Sequence, residues 1–144
     1  MKYDISKNEM KNRIYDKNGF CIRGCCIIWS KVNSQVLLIK NKKNKWCLPG
    51  GCIEENDYSI LSGAIREVEE EAGIIGNIIN FVGTFDDNDG KYKHNTYVWN
   101  MEFKEELDDY LENNRDRKWF DVIDAVNLLD HKPIQKKMLL SSLQ

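Results

Sequence analysis

The sequence has no apolar run approaching the roughly eighteen residues that a membrane-spanning helix needs; its longest, such as Val36-Leu37-Leu38-Ile39, is strand-length. The opening Met1-Lys2-Tyr3-Asp4 lacks the apolar stretch of a secretory leader, so none is expected. An excess of one charge is missing too: 21 Lys and Arg against 23 Asp and Glu leave a formal net charge of −2. That excludes a global attraction to nucleic acid or membrane, so any anion site must be a local basic cluster. Five cysteines (Cys21, Cys25, Cys26, Cys47, Cys52) form neither a CxxC pair nor a zinc-finger spacing. An odd count without an export leader reads as reduced, mostly packed thiols, and the expected compartment is the cytoplasm, with room for the nucleus as well. Cys52 has no partnered base in sight and is not expected to act as a nucleophile. With two prolines, no repeat and no Pro/Gly/Ser-rich linker, the 144 residues read as one domain, long enough for a proper core.

Within that domain, residues 1–18 are polar and expected to be a partly ordered N-terminal segment, with the folded domain spanning residues 19–144. Cys21–Trp29 and Gln35–Lys40 read as β-strands separated by the turn-like Lys31-Val32-Asn33-Ser34. A basic loop, 41–45, precedes Trp46-Cys47-Leu48 and the punctuator Pro49-Gly50-Gly51. A helix is expected to start near Ser59, capped by Asp57 or Ser59, and to close at Gly73. Ile60, Leu61, Ala64, Val68 and Ala72 give it an apolar stripe. Residues 78–85 and 96–103 read as strands joined by a polar loop, 86–95, with a short strand at 118–120. Helices are expected at 121–129 and 134–143, the second preceded by Pro133. The fold class is α/β.

The densest chemistry lies in Arg66-Glu67-Val68-Glu69-Glu70-Glu71-Ala72-Gly73-Ile74. At about 100° per residue, Glu67, Glu70 and Glu71 share an arc of roughly 100°, while Glu69 points elsewhere. Like charges at this spacing repel, which a solvated face tolerates and a hard divalent cation would more than offset. Just upstream, Gly50 and Gly51 allow close approach of backbone to a ligand and offer a carbonyl to a metal.

The segment GGCIEENDYSILSGAIREVEEEAGI, residues 50–74, resembles the Nudix box. Arg66, Glu67, Val68, Glu70, Glu71, Gly73 and Ile74 match the second half of that motif fully. The first half departs: Asp57 stands six positions after Gly51, where the family has Glu, and one extra residue separates it from Arg66. Asp57, Glu54 and Glu55 are all candidates for the carboxylate that braces the loop. The resemblance implies an α/β/α sandwich with a mixed sheet and a loop–helix–loop motif, and hydrolysis of a phosphoanhydride with Mg²⁺ or Mn²⁺ as cofactor. It implies metal ligation by the Gly50 carbonyl, Glu67, Glu70 and Glu71. Catalytic roles fall to Glu70 and Glu67, with Arg66 as the ion-pair brace that orients them.

Lys93-His94-Asn95-Thr96-Tyr97-Val98, the stretch 117–125 and His131-Lys132-Pro133-Ile134-Gln135 are similar to the diphosphoinositol polyphosphate phosphohydrolases, which also cleave diadenosine polyphosphates. This implies a small polyphosphate as substrate, bound by Arg23, Gly51, Lys93, His94, Arg115 and Lys132. Cys21, Ile22 and Asn95 stand where that subfamily tends to carry cations, which favours nucleotide substrates as the alternative: a diadenosine polyphosphate, a capped RNA end or a nucleoside triphosphate. Lys40, Lys42, Lys43 and Lys45 could compensate or be an ordinary surface loop. A non-catalytic module sensing an anionic metabolite is the reading from another class. No other nucleic acid, no membrane and a monomeric state are expected. Trp29, Trp99 and Trp119 read as core; Trp46 reads as core or as a platform for a base.

Overall fold

A computed structural model of the chain describes residues 12–32, 34–88 and 90–144. In order along the chain are β1 (Cys21–Trp29), β2 (Gln35–Lys40), β3 (Trp46–Cys47), β4 (Gly50–Cys52) and α1 (Ile60–Ala72). Then follow β5 (Ile74–Asn88), β6 (Lys93–Glu106), β7 (Arg117–Asp121), α2 (Val122–Leu128) and α3 (Pro133–Ser142). The sheet is mixed. Its path runs β3-β2-β1-β6-β5, with β4 paired to β1 and β7 to β2. β1 and β6 run parallel, Cys21 facing His94 through to Trp29 facing Glu102, and the remaining pairs are antiparallel.

Both faces of the central strands are covered, which is why β1 and β2 read as apolar runs and not as alternations. On one face Cys26, Ile28, Leu37 and Ile39 pack beneath Ala64, Val68 and Ala72 of α1. On the other, Cys25, Ile27, Val36 and Leu38 pack with Ala125, Leu129, Met138 and Leu139 around α2 and α3. The result is the expected α/β/α sandwich. Trp29 is buried and donates its indole N–H to Asn100 Oδ1 at 2.8 Å. Trp46 packs edge-on against Phe120 at 5.0 Å and belongs to the core, so it does not serve as a free platform.

The helix α1 is defined at both ends by its sequence. Ser59 and Ser62 form a capping box, and Gly73 closes the helix in the left-handed region at φ 63°. The Arg117 guanidinium donates to the freed Ala72 carbonyl at 2.8 Å and to Leu107 O at 2.7 Å, favourable charge at the negative helix end. Against the sheet, a Cβ on Gly24 would come within 2.6 Å of the Ala64 Cβ, so α1 lies close on β1 and its outer face is carried to the end of β4.

Two strand expectations are revised. The strands read as 78–85 and 96–103 extend to 74–88 and 93–106, since Asp86, Asp87 and Asn88 pair with Asn95, His94 and Lys93. A two-stranded ribbon needs no apolar face on its outer stretch, so polarity concealed the strand. Register shifts at 75/76, 78/80 and 81/83 let it bend. Within the N-terminal segment expected to be partly ordered, residues 12–18 are tied to the domain: Ile22 N donates to Ile14 O, Glu55 N to Asn12 O, and Tyr15 bridges Cys21. The rest of that N-terminal segment, 1–11, lies outside the described residues, as does Asn33 of the predicted turn.

Candidate active site

Arg66 sits at the centre of the site. Its Nε donates to Asp57 Oδ1 at 2.8 Å and its Nη2 to Asp57 Oδ2 at 2.9 Å, a bidentate grip. Its Nη1 reaches Glu67 at 3.0 Å and Glu70 at 2.9 Å, and Nη2 also donates to the Cys52 carbonyl at 3.3 Å. Of the three candidate braces, the structure singles out Asp57. Its carboxylate also accepts the Glu54 N–H at 2.8 Å, whereas Glu54 stands 3.7 Å from Arg66 and Glu55 is exposed. The hydrogen bonds from Arg66 hold the Asp57 carboxyl below the usual carboxylate range. The extra residue before Arg66 is therefore absorbed in the loop ahead of Ser59, and helix geometry is untouched.

Glu67 and Glu71 face the loop. Glu71 Oε1 accepts the Gly50 N–H at 2.8 Å, and Oε2 takes Arg115 Nη1 at 3.1 Å. Gly51 lies against Glu67 so closely that a Cβ there would come within 2.2 Å of Oε2 and force the Glu67 carboxylate to shift. Burial, followed by repulsion from Glu71, pushes the Glu67 carboxyl up to about 8. Burial likewise raises Glu71 to about 7, against the opposing Gly50 N–H and Arg115. Glu70 is the most solvent-accessible of the three, and Glu69 is exposed, away from the site.

The three site carboxylates, Gly50 and Gly51 line a cleft of about 550 Å³. An adjoining chamber of about 560 Å³ shares Arg23, Lys132 and Gln135 with it and adds His94, Thr96 and Asp87. The cleft is thus acidic at one end and basic at the other. Oxygen donors with two buried, mutually repelling carboxylates suit a hard divalent cation. Among the described residues, however, no three Asp, Glu, His or Cys side chains converge on one point. Arg66 draws Glu67 and Glu70 one way, and Gly50 and Arg115 hold Glu71 the other.

The expected substrate contacts are only partly brought together. Arg23, His94 and Lys132 line the chambers, and Arg23 Nη2 donates to the Gly50 carbonyl at 3.4 Å. Lys93 is absent from the lining and lies over the Phe20 ring at 5.6 Å. Arg115 is in the cleft, but ion pairs with Glu71 and with Glu112 at 2.8 Å engage it, so it positions Glu71. Lys42, Lys43 and Lys45 line an adjoining basic pocket of about 440 Å³ with Arg115, His131 and Lys132, sharing Lys42, Arg115 and Lys132 with the cleft. His131 Nε2 is 2.7 Å from the Trp46 carbonyl, a structural contact. Gln135 was not singled out for a role, yet its Oε1 accepts the Leu48 N–H at 2.7 Å and anchors the loop before Pro49. Nothing in sequence spacing reveals a contact across so much chain.

Comparison with known proteins bears on this geometry. A family model described as the NUDIX domain matches residues 23–141. Diphosphoinositol polyphosphate phosphohydrolase 2 of Mus musculus is 35% identical over 136 residues, covering 90% of this chain and 74% of that protein. Diphosphoinositol polyphosphate phosphohydrolase 3-beta of Homo sapiens is also 35% identical over 136 residues, covering 90% and 82%. Among solved structures, the fold is shared with the C. elegans Ap4A hydrolase (TM-score 0.69, 20% identity, 86% of this chain and 96% of that one). It is also shared with a NUDIX hydrolase from Nitrosomonas europaea (TM-score 0.71, 17% identity, 85% and 87%).

Proposed function

This chain belongs to the Nudix family, and on that premise we propose that it is a divalent-metal-dependent phosphohydrolase cleaving phosphoanhydride bonds of diphosphoinositol polyphosphates, diadenosine polyphosphates or both. One observation carries the reading: Glu67, Glu70 and Glu71 stand with Gly50 and Gly51 at the acidic end of a cleft whose other end is basic. A linear polyanion is cut at one end and gripped at the other.

Glu67, Glu71 and the Gly50 carbonyl would hold Mg²⁺ or Mn²⁺, with Glu70 joining them or facing the attacking water. When bound, the ion neutralises phosphate charge and makes a coordinated water acidic. The protein's own work is positional. Arg66 aims Glu67 and Glu70, Asp57 fixes Arg66, and Arg115 fixes Glu71. Water oxygen attacks phosphorus, its proton passes to a carboxylate, and the anhydride P–O bond breaks with the pair leaving on the departing phosphate. His94 and Lys132 grip the distant phosphates, and Arg23, which donates to the Gly50 carbonyl, stands between them and the carboxylates.

A second reading, preference for nucleotide substrates, has support of its own. Cys21 and Ile22 are buried where the relatives' subfamily tends to carry cations, and Lys93 and Arg115 are engaged elsewhere. Fewer fixed cations suit a ligand of lower charge. Purified protein with Mg²⁺ should release phosphate or nucleotide from at least one of an inositol pyrophosphate and a diadenosine polyphosphate. Release from neither overturns the proposal. A specificity constant far higher for the dinucleotide selects the second reading.

A further inference from the structure

We propose that Cys21 and Cys52 are an oxidisable pair whose disulfide throttles the adjoining active site. The Cys21 and Cys52 Sγ atoms stand 3.4 Å apart. The β1–β4 ladder explains why: Arg23 faces Cys52, so Cys21, two residues along the same strand, occupies the diagonal position on the same face. The two thiols differ in access. Cys52 is half-buried and lines the cleft, beside the Arg23 guanidinium at 3.7 Å; Cys21 is buried. The remaining thiols, Cys25, Cys26 and Cys47, are also buried. An oxidant therefore meets Cys52, and Cys21 resolves.

With a hydroperoxide as oxidant, Cys52 Sγ attacks one peroxide oxygen and the O–O bond breaks. Cys52 becomes a sulfenic acid, and its thiol proton leaves with the second oxygen as alcohol or water. Cys21 Sγ then attacks the Cys52 sulfur: the S–S bond forms, the S–O bond breaks, and the hydroxyl departs as water with the Cys21 proton. Two electrons pass from the thiols to the peroxide.

Closing the gap from 3.4 Å to a bond of about 2.05 Å pulls on Cys52, the last residue of β4. Its carbonyl accepts from Arg66, the side chain that aims Glu67 and Glu70, and its neighbour Gly51 is packed on Glu67. A displacement there reaches the carboxylates directly. This regulatory consequence rests on the hydrolase reading above; the bond itself does not.

The test uses the full chain and its Cys21→Ser variant, each treated with hydrogen peroxide and compared with its own reduced sample. Unreduced digests are read by mass spectrometry, and hydrolysis is measured in parallel. Wild type should yield a peptide pair joined through Cys21 and Cys52, lighter by two hydrogens. Its rate should fall roughly 10–100-fold, the scale of an ångström-sized misplacement, and recover with dithiothreitol. In Cys21→Ser no such pair forms, and prolonged peroxide drives Cys52 to states that dithiothreitol does not reverse. Oxygen added to wild-type Cys52 without the linked peptide overturns the pairing. A linked peptide with an unchanged rate overturns the throttle. A reduced protein with no hydrolysis on any substrate defeats the hydrolase reading, while the linked peptide still decides the bond.

Discussion

Glu67 carries two tensions at once: it is aimed by a guanidinium, yet burial raises its carboxyl from 4.5 to about 8. In the metal-free protein the folded state holds a proton that the unfolded chain releases, so its stabilising share is complete below about 4.5 and is lost as pH rises through about 8. Denaturation of the metal-free protein should therefore show stability declining across that window, with a flatter profile in Glu67→Gln. The same variant, and Glu70→Gln, should lose about 10²–10⁴-fold in rate while retaining the wild-type circular dichroism spectrum. Activity surviving in both would disprove the site. On the proposed ligation, ion binding expels the protons from Glu67 and Glu71, so Mg²⁺ affinity by calorimetry should rise through about 7 and about 8, with proton release seen as a buffer-dependent heat. At Asp57 the sign is opposite: a depressed carboxyl stabilises above its unfolded value of 3.8 and loses that share as pH falls through its folded value. Asp57→Asn should cost about 1–3 kcal/mol in urea unfolding at neutral pH, since the buried Arg66 contacts lose their anionic partner.

The loop–helix unit acts as one part because its two ends are fastened by different devices. Gly51→Ala would push a Cβ into Glu67 and should lower kcat while leaving the melting temperature within a few degrees, as the clash is with a side chain at the cleft. Gly73→Ala is the converse case. Its φ of 63°, and a Cβ 2.4 Å from the Tyr110 ring, predict a loss of about 1–3 kcal/mol in stability, with catalysis affected only through unfolding. Elements with local signals were legible in the sequence: β1 and β2 to the residue, the Ser59 cap and the Gly73 stop. What was not legible depended on distant partners. Asp57 was indistinguishable from Glu54 and Glu55 until the bend ahead of Ser59 turned one of them towards Arg66. Arg115 looked like a free cation because one of its two partners, Glu71, lies far along the chain, and the outer β5–β6 ribbon has no apolar period to announce it.

Across the whole molecule, charge is sorted along the cleft. Lys132→Ala should raise KM about tenfold or more for a heavily phosphorylated ligand and less for a dinucleotide, with kcat little changed, if this cation binds charge remote from the bond being broken. Equal effects on both substrates would show that the basic end does not discriminate. The parallel pairing of β1 with β6 carries a further consequence, one of timing. β1 meets β2 and β4 soon after its own synthesis, but its other edge finds its partner only in His94–Glu102, so the central ladder cannot close until β6 has been made. Such non-local closure slows folding. Until then that edge of β1, a strand apolar on both faces, stays unpaired, and chaperone demand should be concentrated in that interval.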